Sequence, residues 1–328
     1  MALLQLLRLR RRSKFNPPTL LDDILASPLQ ALISTFYSLL LLLRGRPFPA
    51  PTQHPIRVVC ISDTHDQTSV EIPLGDLLIH AGDLTNAGTA ADIQAQIDWL
   101  AAQPHRHKVV IAGNHDSYFD PSSRTLADRT FKRTLDFKGV HYLQHDSVTL
   151  SFTGGRTLKV YGAPDIPRCG GPDFAFQYDL DSGPTPWPNS VPTDTDVLVT
   201  HTPPLAHLDL RSLGCPALRE EVWRVRPRLH VFGHVHWGAG RRAMHFDACQ
   251  KAYESLMARP ARTIFWDLVP SGAWLDALRV VLYGVHAVLF KWLMLGPGGN
   301  RGATQLVNAA LMKGNTGKIG NPVQVVDL

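Results

Sequence analysis

Short apolar runs recur through the middle of the chain, at residues 58–61, 77–79, 108–112, 197–200 and 229–232. Each is rich in Val, Ile and Leu like a buried strand, and each gives way within a few residues to histidine, asparagine or aspartate. Between them, residues 90–102 place Ile93, Ile97 and Leu100 on one face of a helix. Strand, loop, helix, strand is the order of a mainly parallel sheet with helices outside it. The texture changes over residues 146–164, where Val148, Leu150 and Phe152 alternate, Gly154 and Gly155 turn, and Leu158, Val160 and Tyr161 return, as in a hairpin. Residues 165–192, rich in Pro, Gly and aromatics, read as an ordered loop near the strand ends. A helix is predicted over 217–225, and two last strand-like runs, 306–311 and 323–327, bring the chain back to complete a sheet.

Two longer apolar stretches stand outside this pattern. Residues 24–43 approach the ~20 needed to span a bilayer, but Ser27, Gln30, Ser34 and Ser38 make one polar stripe and Pro28 sits in the first turns. That favours an interfacial or packed amphipathic helix, with a spanning helix and a cleaved signal as the alternatives. Residues 273–295 carry Asp276, Arg279, Tyr283 and His286 at helical spacing, predicting a helix with one wet face, on a membrane surface or packed on the domain. The segment 47–55 contains four prolines and reads as a linker. The expected organisation is therefore an appendage over 1–55, a catalytic domain from 56–237 plus 304–328, and an insertion over 238–303.

The chain has 328 residues, 44% of them hydrophobic, and a net charge of +5. Part of the excess lies in Arg8, Arg10, Arg11, Arg12 and Lys14, so a surface or solubility role accounts for it without an anionic substrate. No basic stripe interleaved with aromatics runs through 56–237, which argues against nucleic acid as the partner. The four cysteines, Cys60, Cys169, Cys215 and Cys249, form no Cys-x-x-Cys pair, and no Asn-x-Ser/Thr acceptor occurs. Both features point to a cytoplasmic, reducing compartment, with peripheral membrane contact expected through 24–43 and 273–295.

The polar residues that end the strands form a set with one chemistry. Asp63 and His65 follow the first run, Asp83 the second, Asn114, His115 and Asp116 the third, His201 the fourth, and His234 and His236 the fifth. A lone histidine in a loop usually means nothing; five strand ends carrying oxygen and imidazole donors in order is far more specific. Two divalent cations about 3.5–4 Å apart need several ligands each and one carboxylate shared between them. Asp83 is the natural bridge, with Asp63, His65 and His236 completing one ion and Asn114, His201 and His234 the other. Mixed oxygen and imidazole donors suit Mn, Fe or Zn. A hydroxide held between the ions would attack phosphorus, His115 would protonate the leaving oxygen or polarise the phosphoryl oxygen, and Asp116 would orient His115.

This order of motifs, Asp63-x-His65, Gly82-Asp83, Gly113-Asn114-His115-Asp116, His201 and Gly233-His234-x-His236, resembles that of the calcineurin-like metallophosphoesterases. Asp63-Thr64-His65, Val160-Tyr161-Gly162-Ala163-Pro164 and Thr200-His201-x-Pro203-Pro204 are similar to the metallophosphoesterase-domain-containing branch of animals and fungi. The resemblance implies an α/β, four-layer αββα sandwich with two central mixed sheets, a dinuclear metal centre bridged by Asp83, and His115 assisting the leaving group. Some members of that branch have glycine at the position of His234; with histidine here, both ions are expected. The implied activity is hydrolysis of a small-molecule phosphoester, a phosphodiester such as a cyclic nucleotide before others. The competing expectation is a metal- or nucleotide-binding scaffold with little turnover, and a nuclease comes third.

Overall fold

The structure is a computed structural model that describes residues 9–11, 13, 15–45, 47, 54–130, 134–261, 263–294 and 302–328. Most of the expected linker over 47–55 lies outside the described residues. One sheet is built from β1 (Arg57–Ile61), β2 (Leu77–Ala81), β3 (His107–Ile111) and β4 (His141–Tyr142), all parallel. The second opens on the hairpin β5 (Asp146–Ser151) and β6 (Thr157–Ala163). A small ribbon follows, β7 (Ile166–Pro167) beside β8 (Gln177–Tyr178). Then β9 (Val197–Thr200), β10 (Leu229–Phe232), β11 (Gly240–Met244) and β12 (Thr304–Asn308) complete the second sheet in the order β11-β12-β10-β9-β6-β5. Last, β13 (Gln324–Asp327) pairs antiparallel with β1, setting Val58 opposite Val326. The helices are α1 (Leu20–Ala26), α2 (Pro28–Arg44), α3 (Ala90–Ala101), α4 (Leu126–Thr130), α5 (Pro216–Val225), α6 (Ala248–Met257), α7 (Ile264–Asp267) and α8 (Gly272–Met294).

The layering follows from the two-residue period of the strands. In β1, Val58 and Cys60 enter the core between the sheets with Ile79, Val109, Val199 and Val231. Val59 and Ile61 point the other way, where Ile93, Ile97 and Leu100 of α3 cover them. On the far side, Leu218 and Val222 of α5 cover Leu198 and Phe232. Both faces of the central strands are buried, which is why they read as unbroken apolar runs, and each such side chain contributes roughly 1.5–3 kcal/mol. The result is a four-layer αββα sandwich. Local chemistry fixes the helix limits: the Thr89 hydroxyl caps α3 by accepting from Asp92 N, and α5 stops where Arg226 turns left-handed ahead of Pro227.

Outside the sandwich, α2, α6 and α8 share a core of their own, built on Ile33, Tyr37, Leu40, Tyr253, Leu256 and Val280. The segment expected as one helix over 24–43 is broken at Ser27, whose side chain caps α2 while Pro28 occupies its first turn. The packing corrects part of each face expected to be wet, while Ser38, Arg279, Tyr283 and His286 are exposed as expected. Ser27 and Gln30 turn inward, Gln30 donating to Leu256 O at 2.9 Å, and Asp276 is buried against Arg259. The segment expected as an insertion also begins inside the sheet: Gly240–Met244 pair along the whole of β12.

Candidate metal centre

Each ligand loop leaves the C-terminal end of a parallel strand, the edge where open α/β sheets place their sites. The two sheets meet there, through a bridge between Ser62 and Ala310 and the bond from Leu311 N to Ser62 O at 2.9 Å. Backbone strain marks the same place. Asp63, His65, Asp83 and His234 all have positive φ, between 45° and 63°. For residues other than glycine this costs roughly 1–2 kcal/mol each, and it aims four donors inward.

The structure brings all seven expected ligands together. Asp63, His65 and His236 offer donor atoms within 4.8 Å of one another, and so do Asp83, His201 and His234. Asn114 joins the second group, its Oδ1 lying 3.1 Å from His201 Nε2. Asp83 stands between the groups by a single oxygen: Oδ2 is 3.3 Å from His201 Nε2 and 3.7 Å from His65 Nε2. Its other oxygen, Oδ1, accepts from His115 N at 2.9 Å. The carboxylate therefore offers one atom to both halves of the site and uses the second to fix its own orientation.

Metal ions fit this donor set. Both ring nitrogens of His65 are buried without a hydrogen-bond partner, a costly arrangement unless a cation takes one of them. His201 Nδ1 lies 2.8 Å from Ala81 O, and His236 Nδ1 lies 2.8 Å from Gly314 O. A carbonyl oxygen can only accept, so Nδ1 carries the proton in each ring and Nε2 is turned to the site. The electrostatics agree. Burial pushes Asp63 up, but the hydrogen bond and charge of His236 overcome it and hold the carboxyl at about 2. Asp83 is likewise held well below the carboxylate range, burial being outweighed by the charge of His201. His201 in turn is raised to about 9 against burial by Asp83, and His236 to about 8 by Asp63. Burial lowers His65, and together with His201 it lowers His234 to about 4, leaving both rings neutral.

His115 sits at the edge of this cluster, half-buried, its ring edge-on to His65 at 4.8 Å. Its Nδ1 lies 3.1 Å from Asn86 O, so Nδ1 holds the proton and Nε2 is left for a substrate. Asp116 does not orient His115. Its carboxylate is spent on the loops, accepting from Gly113 N at 2.8 Å, Leu84 N at 3.1 Å and Thr85 N at 3.0 Å. Burial and the charge of Asp83 raise it to about 6.

A cavity of about 490 Å³ opens over the site. Arg168, Cys169 and Phe174 line it from the loop between β7 and β8, Leu213 and Trp237 line it as well, and Phe15 reaches it from the chain ahead of α1. Phe174 packs on His115 with ring centroids 4.8 Å apart. Sequence reasoning placed residues 165–192 near the strand ends but singled out none of these side chains. The one signal was the loop's richness in glycine and aromatics.

The sequence profile described as calcineurin-like phosphoesterase matches residues 56–238. The chain belongs to that family. Residues 56–238 are thereby a domain of phosphoester-hydrolase type. The chain is 34% identical over 258 residues to the human metallophosphoesterase domain-containing protein 1, covering 67% of this chain and 74% of that protein. The Caenorhabditis elegans UPF0046 protein K07C11.7 is 38% identical over 192 residues, covering 55% of this chain and 63% of its own length. A protein of Emericella nidulans called probable rhamnogalacturonate lyase C is 43% identical over 266 residues. That match takes in 80% of this chain, which spans only 23% of that relative's length.

Proposed function

We propose that this calcineurin-like phosphoesterase hydrolyses a small phosphodiester, such as a cyclic nucleotide, with two divalent cations held by Asp63, His65, Asp83, Asn114, His201, His234 and His236. The observation that carries the reading is the position of His115, beside the ligand cluster with Nε2 free and facing a largely apolar cavity. When bound, the cations supply positive charge for the phosphoryl oxygens and lower the pKa of water to about 7 in favourable cases. The chain does the rest. A leaving alkoxide needs a proton, and protonated His115 delivers it from Nε2 while Asn86 O holds Nδ1. Asp83 Oδ1 fixes the backbone of His115, so the acid and the carboxylate shared by both ligand groups move as one unit.

Charge and wall chemistry favour a diester over a monoester. Among the described lining residues Arg168 is the one guanidinium and there is no lysine, which suits a monoanion better than a dianion. Phe174, Leu213 and Trp237 offer apolar contact to the second ester group. The test uses the purified full chain with Mn, assayed on bis(p-nitrophenyl) phosphate, p-nitrophenyl phosphate and a 2′,3′-cyclic nucleotide. Diester turnover should exceed monoester turnover, and Asp83→Asn should remove it by about 10³-fold, on the scale of losing a main electrostatic group. Metal-loaded chain without turnover would overturn the proposal.

A further inference from the structure

We propose that the helices outside the sandwich dock on the surface of an anionic phospholipid bilayer. Their polarity is inverted. Along α8, Leu275, Leu278, Leu282 and Leu289 form one exposed row, Leu278 being 54% and Leu282 58% accessible. On α2, which packs against α8, Leu32, Leu39 and Leu42 are exposed, the last by 79%. The turn carrying α7 adds Phe265, 83% exposed, and Trp266. So many exposed large apolar side chains on neighbouring elements exceed the scattered leucines of an ordinary soluble face.

The carboxylates of the same elements are withdrawn from it, while Arg279 and His286 stay exposed on α8. Asp267 accepts from Ser27 Oγ at 2.6 Å and Leu29 N at 3.0 Å, and Asp276 pairs with Arg259 at 2.7 Å. Asp23 pairs with Arg211 at 3.0 Å, and Asp22 is bound by Arg10 and by Arg11 N. No carboxylate of α1, α2, α7 or α8 therefore lacks a partner. Even the hydroxyls on the exposed side of α2 turn back to the backbone, Thr35 donating to Ala31 O at 2.9 Å and Ser38 to Ser34 O at 2.8 Å. Such back-bonding leaves a helix face with little demand for water.

Two features choose the occupant and its geometry. The sequence leading into α1 carries Arg8, Arg10, Arg11, Arg12 and Lys14, and Asp22 ties Arg10 and Arg11 to that helix. On α8 itself the exposed Arg279 shares Asp276 with Arg259, two cations to one carboxylate, and cations beside an apolar face complement anionic headgroups. The other side of α8 is committed to protein: a Cβ at Gly284 would lie 2.2 Å from Leu40 Cδ1, and Ala277 and Val280 are buried with α2 and α6. With 23 residues, about 34 Å long, α8 therefore lies along the membrane surface with one face in lipid. Trp274 suits its border, its indole donating to Asp267 O while part of the ring stays exposed.

The experiment is cosedimentation of the full chain with vesicles of phosphatidylcholine, with and without phosphatidylserine. The chain should pellet with the serine-containing vesicles, less with pure phosphatidylcholine, and less in high salt. The variant Leu278→Glu/Leu282→Glu, altered only at exposed positions, should bind at least ten-fold more weakly while keeping its circular dichroism and aryl-diester turnover. Wild-type chain left in the supernatant would overturn the proposal, as would binding indifferent to the variant. A wild-type dimer that ignores vesicles and that the variant splits into monomers would do the same, showing the face to be covered by a second copy.

Discussion

His115 is the residue whose role the geometry constrains most closely. Its amide is held by Asp83 and its Nδ1 by Asn86 O, which leaves only Nε2 to act. If Nε2 protonates the leaving group, the cost of removing it depends on how much that group needs a proton. His115→Ala should lower kcat for a cyclic nucleotide, with its basic alkoxide, by about 10²–10⁴-fold. For a p-nitrophenyl diester, whose phenolate leaves unaided, the loss should be much smaller. Metal content, measured on the same preparations, should not change; loss of an ion would make His115 a ligand instead, since it also lies within reach of His65 and Asp83.

At the scale of elements, the site is made by strand ends brought close, and closeness is what its glycines provide. A Cβ at Gly233, at the end of β10, would sit 2.1 Å from Ser62 Oγ and 2.2 Å from Asp63 Oδ2. Those atoms belong to the loop after β1, so the second sheet touches the first through a residue with no side chain. Gly233→Ala should push Asp63 off its place and lower metal affinity by at least ten-fold, read by titration with Mn, with secondary structure retained. Unchanged affinity would show that the two loops have slack. These junctions were legible in the sequence because a doubly buried strand is an unbroken apolar run and polar residues at its end have few other reasons to follow. The faces of α2 and α8 were not legible. Periodicity shows that a helix has two sides, but Ser27, Gln30 and Asp276 find partners inside the bundle, so these members of the stripes turn inward while Ser38, Arg279 and His286 stay exposed. Nor could spacing say that Asp116 would be used by Leu84 and Thr85 as well as by Gly113 of its own loop, because those two donors lie on a second loop.

For the whole molecule, the site is a cluster of opposed charges that protons or cations can balance, and the two compete. In the metal-free chain His201 and His236 titrate at about 9 and about 8, above the ordinary 6.5, because Asp83 and Asp63 hold their protons. Groups raised in this way stabilise the fold fully below about 6.5, and that contribution is lost as pH rises through about 8 and then about 9. Asp63, at about 2, and Asp83, lower still than usual, stay ionised throughout this window, while His65 and His234 stay neutral. Between pH 6.5 and 9 the metal-free chain should therefore lose stability, its thermal midpoint falling by about 3 °C or more. Cations bind the deprotonated rings, so added Mn should stabilise more strongly as pH rises, and the gap between melting curves with Mn and with chelator should widen. Parallel curves across that range would mean that His201 and His236 do not exchange protons for metal, and the assignment of both as ligands would fall with them.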